Sequence, residues 1–162
     1  MKTFGAIAAA AALILAAPAF AATEKDEASI EAAMTAPGGD ATTGEAVFAK
    51  QCVTCHVVET PDGETLAGKR GRLGPNLYGI LGGPVSAVAD FRYGKSMVDA
   101  GETDAEWTEE DFVAYLQDPT GWLRETLDDS DARSKMAWKV SDPQDAADLY
   151  AYLQALAPYK PE

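Results

Sequence analysis

The pentapeptide Cys52-Val53-Thr54-Cys55-His56 decides the fold, and it contains both cysteines and the only histidine of the chain. Two thiols at this spacing, with an imidazole on the next residue, are typical of covalent haem attachment. Each sulfur then bonds to one vinyl group of the porphyrin, and the histidine lies under the iron. The stretch therefore predicts a site for a covalently bound haem.

Three other kinds of site use the same residue types. A thioredoxin-like dithiol has the same cysteine spacing, but it follows a strand in a βαβ unit, whereas residues 44–51 have a helical pattern. A structural zinc ion needs a full tetrahedral set of ligands, and beyond this motif the chain has only carboxylates to complete it. A disulfide across so short a loop stabilises little and leaves His56 without a role. Haem attachment accounts for all the side chains of the motif.

Length and charge limit the possible functions. The chain has 162 residues, enough for one domain with a tail, and 47% of them are hydrophobic, which allows an ordinary core. The formal net charge is −13. Such an acidic surface repels nucleic acids and anionic membranes. We therefore expect the binding partners to be proteins.

The N-terminal residues have the pattern of an exported protein. A lysine precedes an uninterrupted apolar run over residues 4–17, and either Ala17-Pro18-Ala19 or Ala19-Phe20-Ala21 offers small residues for cleavage. This predicts a cleavable signal peptide over residues 1–21. The alternative is an uncleaved anchor, because residues 4–22 approach the length of a membrane span. Residues 22–41 are acidic and rich in alanine, and we expect them to form a mobile leader.

Amphipathic helices are predicted at both ends of a domain that spans residues 42–162. Thr42-x-x-Glu45 has the pattern of a capping box, and the helix that follows runs into the haem motif. Asp142 and Pro143 suit the N-cap and the first position of the last helix. We expect the two helices to pack on each other. The apolar stripe of the last helix consists of Ala146, Leu149, Tyr152, Leu153 and Leu156.

Between these two helices the sequence predicts loops and short helices. Thr108 precedes three acidic residues and suits an N-cap, and Asp118-Pro119 ends that helix and begins the next. No run alternates apolar and polar residues long enough to indicate a strand. The pattern predicts an all-α domain wrapped around a large group that is not protein.

The haem motif is one of a series of motifs that follow each other in a definite order. In this order the motifs resemble those of the class I c-type cytochromes, in particular the bacterial cytochrome c2 and c550 type related to mitochondrial cytochrome c. The resemblance covers residues 44–156 and implies the cytochrome c fold with one covalently attached haem c. The motifs are Gly44-x-x-x-Phe48, the haem pentapeptide, Gly74-Pro75-Asn76-Leu77-Tyr78-Gly79, Phe91-Arg92-Tyr93, Trp107-Thr108, Tyr115-Leu116-Gln117-Asp118-Pro119, Lys135-Met136-Ala137-Trp138 and Leu149-Tyr150-Ala151-Tyr152-Leu153.

A low-spin electron carrier needs a second axial ligand beside His56, and a thioether raises the reduction potential. Met34 lies in the predicted leader, and Met97 lies in a predicted short helix, where a buried methionine normally packs. Met136 follows an extended acidic loop, far enough along the chain to reach the opposite face of the haem. These considerations favour Met136 over the other two, and the resemblance implies the same ligand.

The resemblance implies a partner for the histidine ligand. The carbonyl oxygen of Pro75 would accept the Nδ1 proton of His56, which leaves Nε2 for the iron. The alternative is that Gly74-Pro75 forms an ordinary turn.

The resemblance also implies polar contacts elsewhere around the haem. Tyr93 and Trp107 would donate hydrogen bonds to the haem propionates, although such aromatic residues often only fill a core. Tyr115 would lie near Met136 and tune the reduction potential through its hydroxyl. Ser134 matches the position of a family threonine that can bond a propionate.

Two positions depart from the family pattern. Gly82-Gly83-Pro84 stands where a basic residue often contacts a propionate, so we expect that contact to be absent. Trp138 replaces the more usual phenylalanine at the exposed haem edge. Neither departure removes an iron ligand.

Basic residues are concentrated in the two segments that contain His56 and Met136. Residues 50–72 and 133–139 hold seven basic and three acidic residues, a local charge of +4 in a chain of net charge −13. This predicts a dipole whose positive end surrounds the exposed haem and docks on acidic partner surfaces. The basic residues are Lys50, Lys69, Arg70, Arg72, Arg133, Lys135 and Lys139.

The resemblance implies a periplasmic, single-haem, one-electron carrier that is not an enzyme, since bacteria attach such haems outside the cytosol. Its redox partners would be a cytochrome bc1-type complex or dehydrogenase as donor and an oxidase, reductase or photosynthetic reaction centre as acceptor. We expect a monomer that docks transiently at membrane complexes. Two alternatives are a carrier anchored by an uncleaved leader and a five-coordinate haem sensor or peroxidase.

Overall fold

The computed structural model describes residues 35–36 and 38–161. In these residues the chain forms five helices and two small antiparallel sheets. The predicted signal peptide and residues 22–34 of the predicted leader lie outside the described residues. The helices are α1 (Ala41–Gln51), α2 (Lys95–Gly101), α3 (Glu109–Gln117), α4 (Pro119–Leu127) and α5 (Pro143–Leu156), and the strands are β1 (Thr35–Ala36), β2 (Gly39–Asp40), β3 (Val57–Glu59) and β4 (Thr65–Gly68).

Helix α1 begins earlier than the sequence pattern predicts. Its N-cap is Asp40, whose side chain accepts a hydrogen bond of 2.7 Å from the backbone N–H of Thr43. The capping box at Thr42 and Glu45 was therefore wrong, because Thr42 already lies inside the helix. Aspartate is as good an N-cap as threonine, and the pairing of β1 with β2 places Asp40 at the start of the helix.

The first and last helices pack on each other, as predicted. Gly44 lies where they cross, and a Cβ at this position would run into the backbone of Asp148 and lie 2.7 Å from the Cβ of Tyr152. The absence of a side chain thus allows the two backbones to approach closely. One turn later, the rings of Phe48 and Tyr152 lie 5.7 Å apart. This contact positions the C-terminal end of α1, which leads into the haem motif.

Helices α3 and α4 follow the predicted capping pattern. The side chain of Thr108 accepts a hydrogen bond from the N–H of Asp111, and Pro119 occupies the first position of α4 after Asp118. The two helices bring Tyr115 and Trp122 together beside Trp107, whose ring stacks on that of Trp122 with centroids 5.4 Å apart. These aromatic side chains form one side of the core.

The small sheets were not anticipated from the sequence. Strands β3 and β4 pair antiparallel with an irregularity at Val58 and Glu59, and they are too short to show a convincing alternation of apolar and polar residues. Val57 and Val58 are both buried. The hairpin supports the loop after the haem motif and leaves the predicted all-α class intact.

Candidate haem site

The haem motif forms a tight turn at the end of α1. Cys52 continues the helix with a hydrogen bond of 2.9 Å from its N–H to the carbonyl of Phe48. The N–H groups of Cys55 and His56 then donate to the carbonyl of Cys52, at 3.1 and 2.9 Å. Because these bonds close the turn on itself, both thiols and the imidazole come from one rigid piece of backbone.

The two thiols are not joined to each other. Burial, with a smaller contribution from neighbouring Cys55, raises the pKa of Cys52 to about 12. A dithiol oxidoreductase needs a lowered thiol pKa, because the thiolate is its nucleophile. The environment of Cys52 has the opposite effect, which argues against the thioredoxin-like alternative.

The imidazole of His56 is held in one tautomer. Its Nδ1 lies 3.0 Å from the carbonyl oxygen of Pro75, and a carbonyl can only accept, so Nδ1 carries the proton. Burial lowers the pKa of His56 and outweighs the opposing effect of this hydrogen bond. The ring is therefore neutral near pH 7, with the lone pair of Nε2 available to a metal.

Glycines allow the backbone to close around this histidine. A Cβ on Gly74 would lie 2.6 Å from Nε2 of His56, and a Cβ on Gly71 would lie 2.6 Å from the carbonyl carbon of Cys55. A hydrogen bond of 2.9 Å from the N–H of Gly74 to the carbonyl of Cys55 closes the loop. A side chain at position 74 would collide with the imidazole, and one at position 71 would collide with the backbone of Cys55 and His56.

Asn76 fixes the loop that carries Pro75, a role that the sequence reasoning missed. Its Oδ1 accepts from the N–H groups of Glu59 and Tyr78, at 3.0 and 3.1 Å, and its Nδ2 donates to the carbonyl of Glu59 at 2.7 Å. Asn76 stands in the quoted Gly-Pro-Asn-Leu motif, so its position was visible in the sequence. Its partners were not, because Glu59 lies in the unpredicted strand β3.

Met136 lies in an irregular segment and packs, half-buried, against the core. Its N–H donates to Oγ of Ser134 at 3.1 Å, and that oxygen lies 3.1 Å from the hydroxyl of Tyr115. The structure thus brings Tyr115, Ser134 and Met136 together. Met97, the other described candidate, is buried in α2 as part of the core, and Met34 lies outside the described residues.

The segment around Met136 is tied to the rest of the domain on both sides. The N–H of Arg133 donates to Oγ of Ser96 at 3.0 Å, and Nζ of Lys135 donates to the carbonyls of Arg92 and Tyr93, at 2.8 and 3.1 Å. After Met136, the N–H of Val140 donates to the carbonyl of Leu116 at 2.9 Å. We call residues 133–140 the methionine loop; these bonds hold a segment without secondary structure in one conformation.

The two aromatic residues expected to bond propionates, Tyr93 and Trp107, differ in their surroundings. The hydroxyl oxygen of Tyr93 accepts from the N–H of Val88 at 3.3 Å, which leaves its own hydrogen available. Burial raises the pKa of Tyr93, so the hydroxyl stays protonated. Trp107 is 8% exposed and belongs to the aromatic core. Its indole N–H donates no hydrogen bond within the part of the chain that the structure describes.

One of the alternative interpretations, the structural zinc site, finds no support in the described residues. In residues 35–36 and 38–161, no three His, Cys, Asp or Glu side chains converge as a metal-binding group, so a zinc site would lack its remaining ligands. None of the helices in the same residues is long and apolar enough to cross a membrane.

The residues of the site fit a covalent haem. Two unbonded thiols and a neutral imidazole lie on one turn, and a thioether lies in a firmly held loop. The cytochrome c family model matches residues 41–157. The chain belongs to the cytochrome c family.

Individual members of the cytochrome c family share much of this sequence. Cytochrome c2 of Rhodovulum adriaticum is 52% identical over 118 residues, which cover 73% of this chain and 93% of that protein. The crystal structure of cytochrome c2 from Rhodobacter sphaeroides is 43% identical and superposes with a TM-score of 0.72, over 76% of this chain and 99% of that one. Ferric cytochrome c-550 from Paracoccus versutus gives 39% identity and a TM-score of 0.68, over 74% and 99% of the two chains.

These comparisons confirm the predicted family, of the bacterial c2/c550 type, and its fold. Membership in the cytochrome c family also establishes a covalently bound haem c and a role in electron transfer rather than enzymatic catalysis. The matched residues 41–157 contain the whole of the haem motif and the methionine loop.

Proposed function

We propose that this cytochrome c is a periplasmic, single-haem, one-electron carrier. Cys52 and Cys55 would hold the haem through their sulfurs, and His56 and Met136 would be the axial ligands of its iron. When bound, the haem supplies the iron that alternates between the ferrous and ferric states. The protein's own residues provide the ligands, limit the access of water and form the docking surface.

The observation that carries this proposal is the fixed tautomer of His56. With Nδ1 committed to the carbonyl of Pro75 at 3.0 Å, Nε2 is the only ring nitrogen that can bind a metal. Because the bond from Gly74 to Cys55 and the bonds of Asn76 hold the loop that carries this carbonyl, His56 would need little rearrangement when the oxidation state of a bound iron changes. This suits a carrier that must accept and release electrons repeatedly.

The methionine loop supports the second axial ligand. A thioether is a weak ligand, so its retention depends on how firmly the backbone holds it. The N–H of Met136 is bonded to Ser134, and the flanking residues are bonded to α2, to α3 and to the loop before α2. With both His56 and Met136 bound to it, the iron would have no open site for a substrate, which would distinguish a carrier from a five-coordinate sensor or peroxidase.

The number of hydroxyl hydrogens limits how many hydrogen bonds Tyr115 and Ser134 can donate near the haem. Tyr115 and Ser134 have one hydroxyl hydrogen each, and the bond between them uses one. One hydrogen therefore remains: either Tyr115 directs it towards the sulfur of Met136, or Ser134 directs it towards a propionate. Tyr93 and Trp107 would bond propionates independently of this pair.

The proposed docking surface is basic. All seven basic residues of the two segments are exposed. Gly71 packs against the backbone of Cys55 and His56, and Trp138 bonds to Gln51, so both basic segments meet at the haem motif. Arg72 pairs with Glu59 and Lys139 with Asp118, which reduces the positive charge but leaves most of it free. Redox partners would therefore present carboxylates, such as those of a quinol-oxidising complex and an oxidase, reductase or reaction centre.

A pair of matched variants tests the axial ligand. We expect Met136→Leu to abolish the sulfur-to-iron charge-transfer band at the red end of the oxidised spectrum and to lower the reduction potential, because leucine keeps the volume but has no donor atom. Met97→Leu, the control in the core, should retain the band. An unchanged spectrum in Met136→Leu, or loss of the band in Met97→Leu, would contradict the assignment.

Two further measurements test location and docking. N-terminal sequencing of the protein from a bacterial periplasm should show a chain that begins after residue 21, whereas a chain that begins at Met1 and stays with the membrane would favour the anchored alternative. Electron-transfer rates with a membrane oxidase should fall as ionic strength rises, because salt screens the attraction between unlike charges. A flat dependence would remove the docking proposal.

A further inference from the structure

Trp138 stands apart from the other two tryptophans of the chain. Its side chain is 58% exposed, whereas Trp107 and Trp122 are 8% and 6% exposed. It lies in the methionine loop, two residues after Met136. An exposed indole without a hydrogen-bond partner would rotate among several rotamers. The contacts around Trp138 therefore decide whether its side chain has one conformation or several.

The indole of Trp138 is held by Gln51. Its Nε1–H donates to Oε1 of Gln51 at 3.3 Å, and Gln51 is the last residue of α1, directly before Cys52. The Nε2 of Gln51 donates in turn to Oδ2 of Asp145, in the first turn of α5, at 3.4 Å. One amide thus links the haem-attachment turn, the methionine loop and the last helix.

The chemistry of these contacts fixes the orientation of the amide. The indole can only donate and the carboxylate can only accept, so the amide oxygen must face Trp138 and the amide nitrogen must face Asp145. A basic residue at position 51 would offer no acceptor to the indole, and an acidic residue would repel Asp145. Among the common side chains of this length, glutamine alone matches both neighbours.

We propose that Gln51 is a positioning residue for electron transfer, which fixes the indole of Trp138 as a contact surface between the haem motif and the methionine loop. This inference rests on the proposed function of the chain as an electron carrier. Large aromatic side chains contribute strongly to protein contacts, and a side chain ordered before docking loses less entropy on binding. The ordering of one such side chain changes binding by about two- to tenfold.

The first test observes the indole directly in the reduced, ¹⁵N-labelled holoprotein. In Gln51→Met, which keeps the length but has no N–H donor and no carbonyl acceptor, the Nε1–H of Trp138 should exchange with solvent about two- to tenfold faster, as loss of one hydrogen bond implies. The signals of Trp107 and Trp122 should not change. Gln117→Met is the control, because Gln117 is likewise the last residue of its helix and its side chain makes no hydrogen bond within the described residues.

The second test measures electron self-exchange between oxidised and reduced copies of the protein by NMR line broadening, at one ionic strength. This needs no identified partner. We expect Gln51→Met to slow self-exchange by about two- to tenfold without loss of the sulfur-to-iron band, and Gln117→Met to leave it unchanged. In a Trp138→Phe background, which has no indole N–H, Gln51→Met should have no further effect.

The outcomes separate the inference from the proposed function. Unaltered exchange of the Trp138 indole in Gln51→Met, or an equal effect of Gln51→Met with and without Trp138, would overturn the positioning role. A holoprotein that does not cycle reversibly between two oxidation states would refute the carrier function instead, and the exchange of the indole would still report on Gln51.

Discussion

Replacement of Gly44 by alanine tests the packing of the first helix on the last. The added Cβ would lie 2.5 Å from the carbonyl carbon of Asp148 and 2.7 Å from the Cβ of Tyr152, where ordinary contacts begin at 3.4 Å. The partner atoms belong to the backbone and to a Cβ, so no change of rotamer removes the overlap. The helices must therefore move apart by about 1 Å, which weakens the attraction between the groups that face each other across the contact by about a quarter to a half.

The free energy of unfolding should fall by about 2 kcal/mol. Overpacking in a core costs about 1–3 kcal/mol, and the upper end applies because the backbone itself must shift. Alanine regains about 1 kcal/mol through its higher helix propensity. The cost exceeds the gain because the movement also loosens the buried side chains of both helices, among them Phe48 and Leu149.

Gly121→Ala is the matched control for this experiment. Gly121 also lies inside a helix, but the first atom that its Cβ would meet is Oδ2 of Asp118, at 2.7 Å, on an exposed side chain that can rotate away. In this variant the higher helix propensity of alanine, worth up to about 1 kcal/mol, should outweigh the steric cost and raise the free energy of unfolding. Guanidinium unfolding of both holoproteins, followed by circular dichroism, should place the variants about 3 kcal/mol apart. Equal stabilities would refute the close approach of the helices at Gly44.

Three further substitutions test the site and its surroundings. Asn76→Ala removes three hydrogen bonds and should lower the free energy of unfolding in denaturant by about 3 kcal/mol, while Asn76→Asp keeps the two accepted bonds and should lose less; equal losses would contradict the roles assigned to the amide. Ser134→Ala should lower the free energy of unfolding by about 1–2 kcal/mol, because it leaves the N–H of Met136 unpaired. Ser134→Thr keeps a hydroxyl and should retain most of that free energy. Equal stabilities of the threonine and alanine variants would argue against the bond. The side chain of Lys139 holds the pKa of Asp118 below its ordinary value of 3.8, so the pair stabilises the fold fully above that pH and the contribution is lost as the pH falls through the lower, folded pKa; in Lys139→Met an NMR titration should find the pKa of Asp118 raised, and an unchanged pKa would show that the ion pair has no effect.

Much of the helical framework was visible in the sequence because it depends on local chemistry. Thr108, Pro119 and Asp142 act within the turn that follows them, so their capping roles hold wherever the helices pack. The haem motif is local in the same sense, since its spacing alone places two thiols and an imidazole on one turn. Its neighbours in sequence were sufficient to predict the cofactor.

The errors and omissions concern residues whose partners are distant in sequence. Asp40, rather than Thr42, is the N-cap of α1. Its position depends on the pairing of β1 with β2 and on a hydrogen bond of 2.8 Å from its N–H to the buried carboxylate of Asp148 in α5. Gln51 and Asn76 bond to side chains and strands that come together only in the folded chain. No periodicity or spacing carries such information.

The two sides of the proposed haem site differ in how tightly they are held, and this predicts which side loosens first. On the histidine side, the hydrogen bonds of Pro75 and Asn76 are joined by the close backbone approach of Gly71 and Gly74 to the haem motif, which cannot relax unless whole segments move. Single hydrogen bonds to Ser134, Ser96 and the carbonyls before α2 hold the methionine loop, and each contributes only about 1 kcal/mol. Because these bonds can open one at a time, heat, denaturant or a docking partner should loosen the proposed bond between Met136 and the iron before any change reaches His56. The reduction potential should accordingly be adjusted through the methionine loop, while the histidine side stays constant.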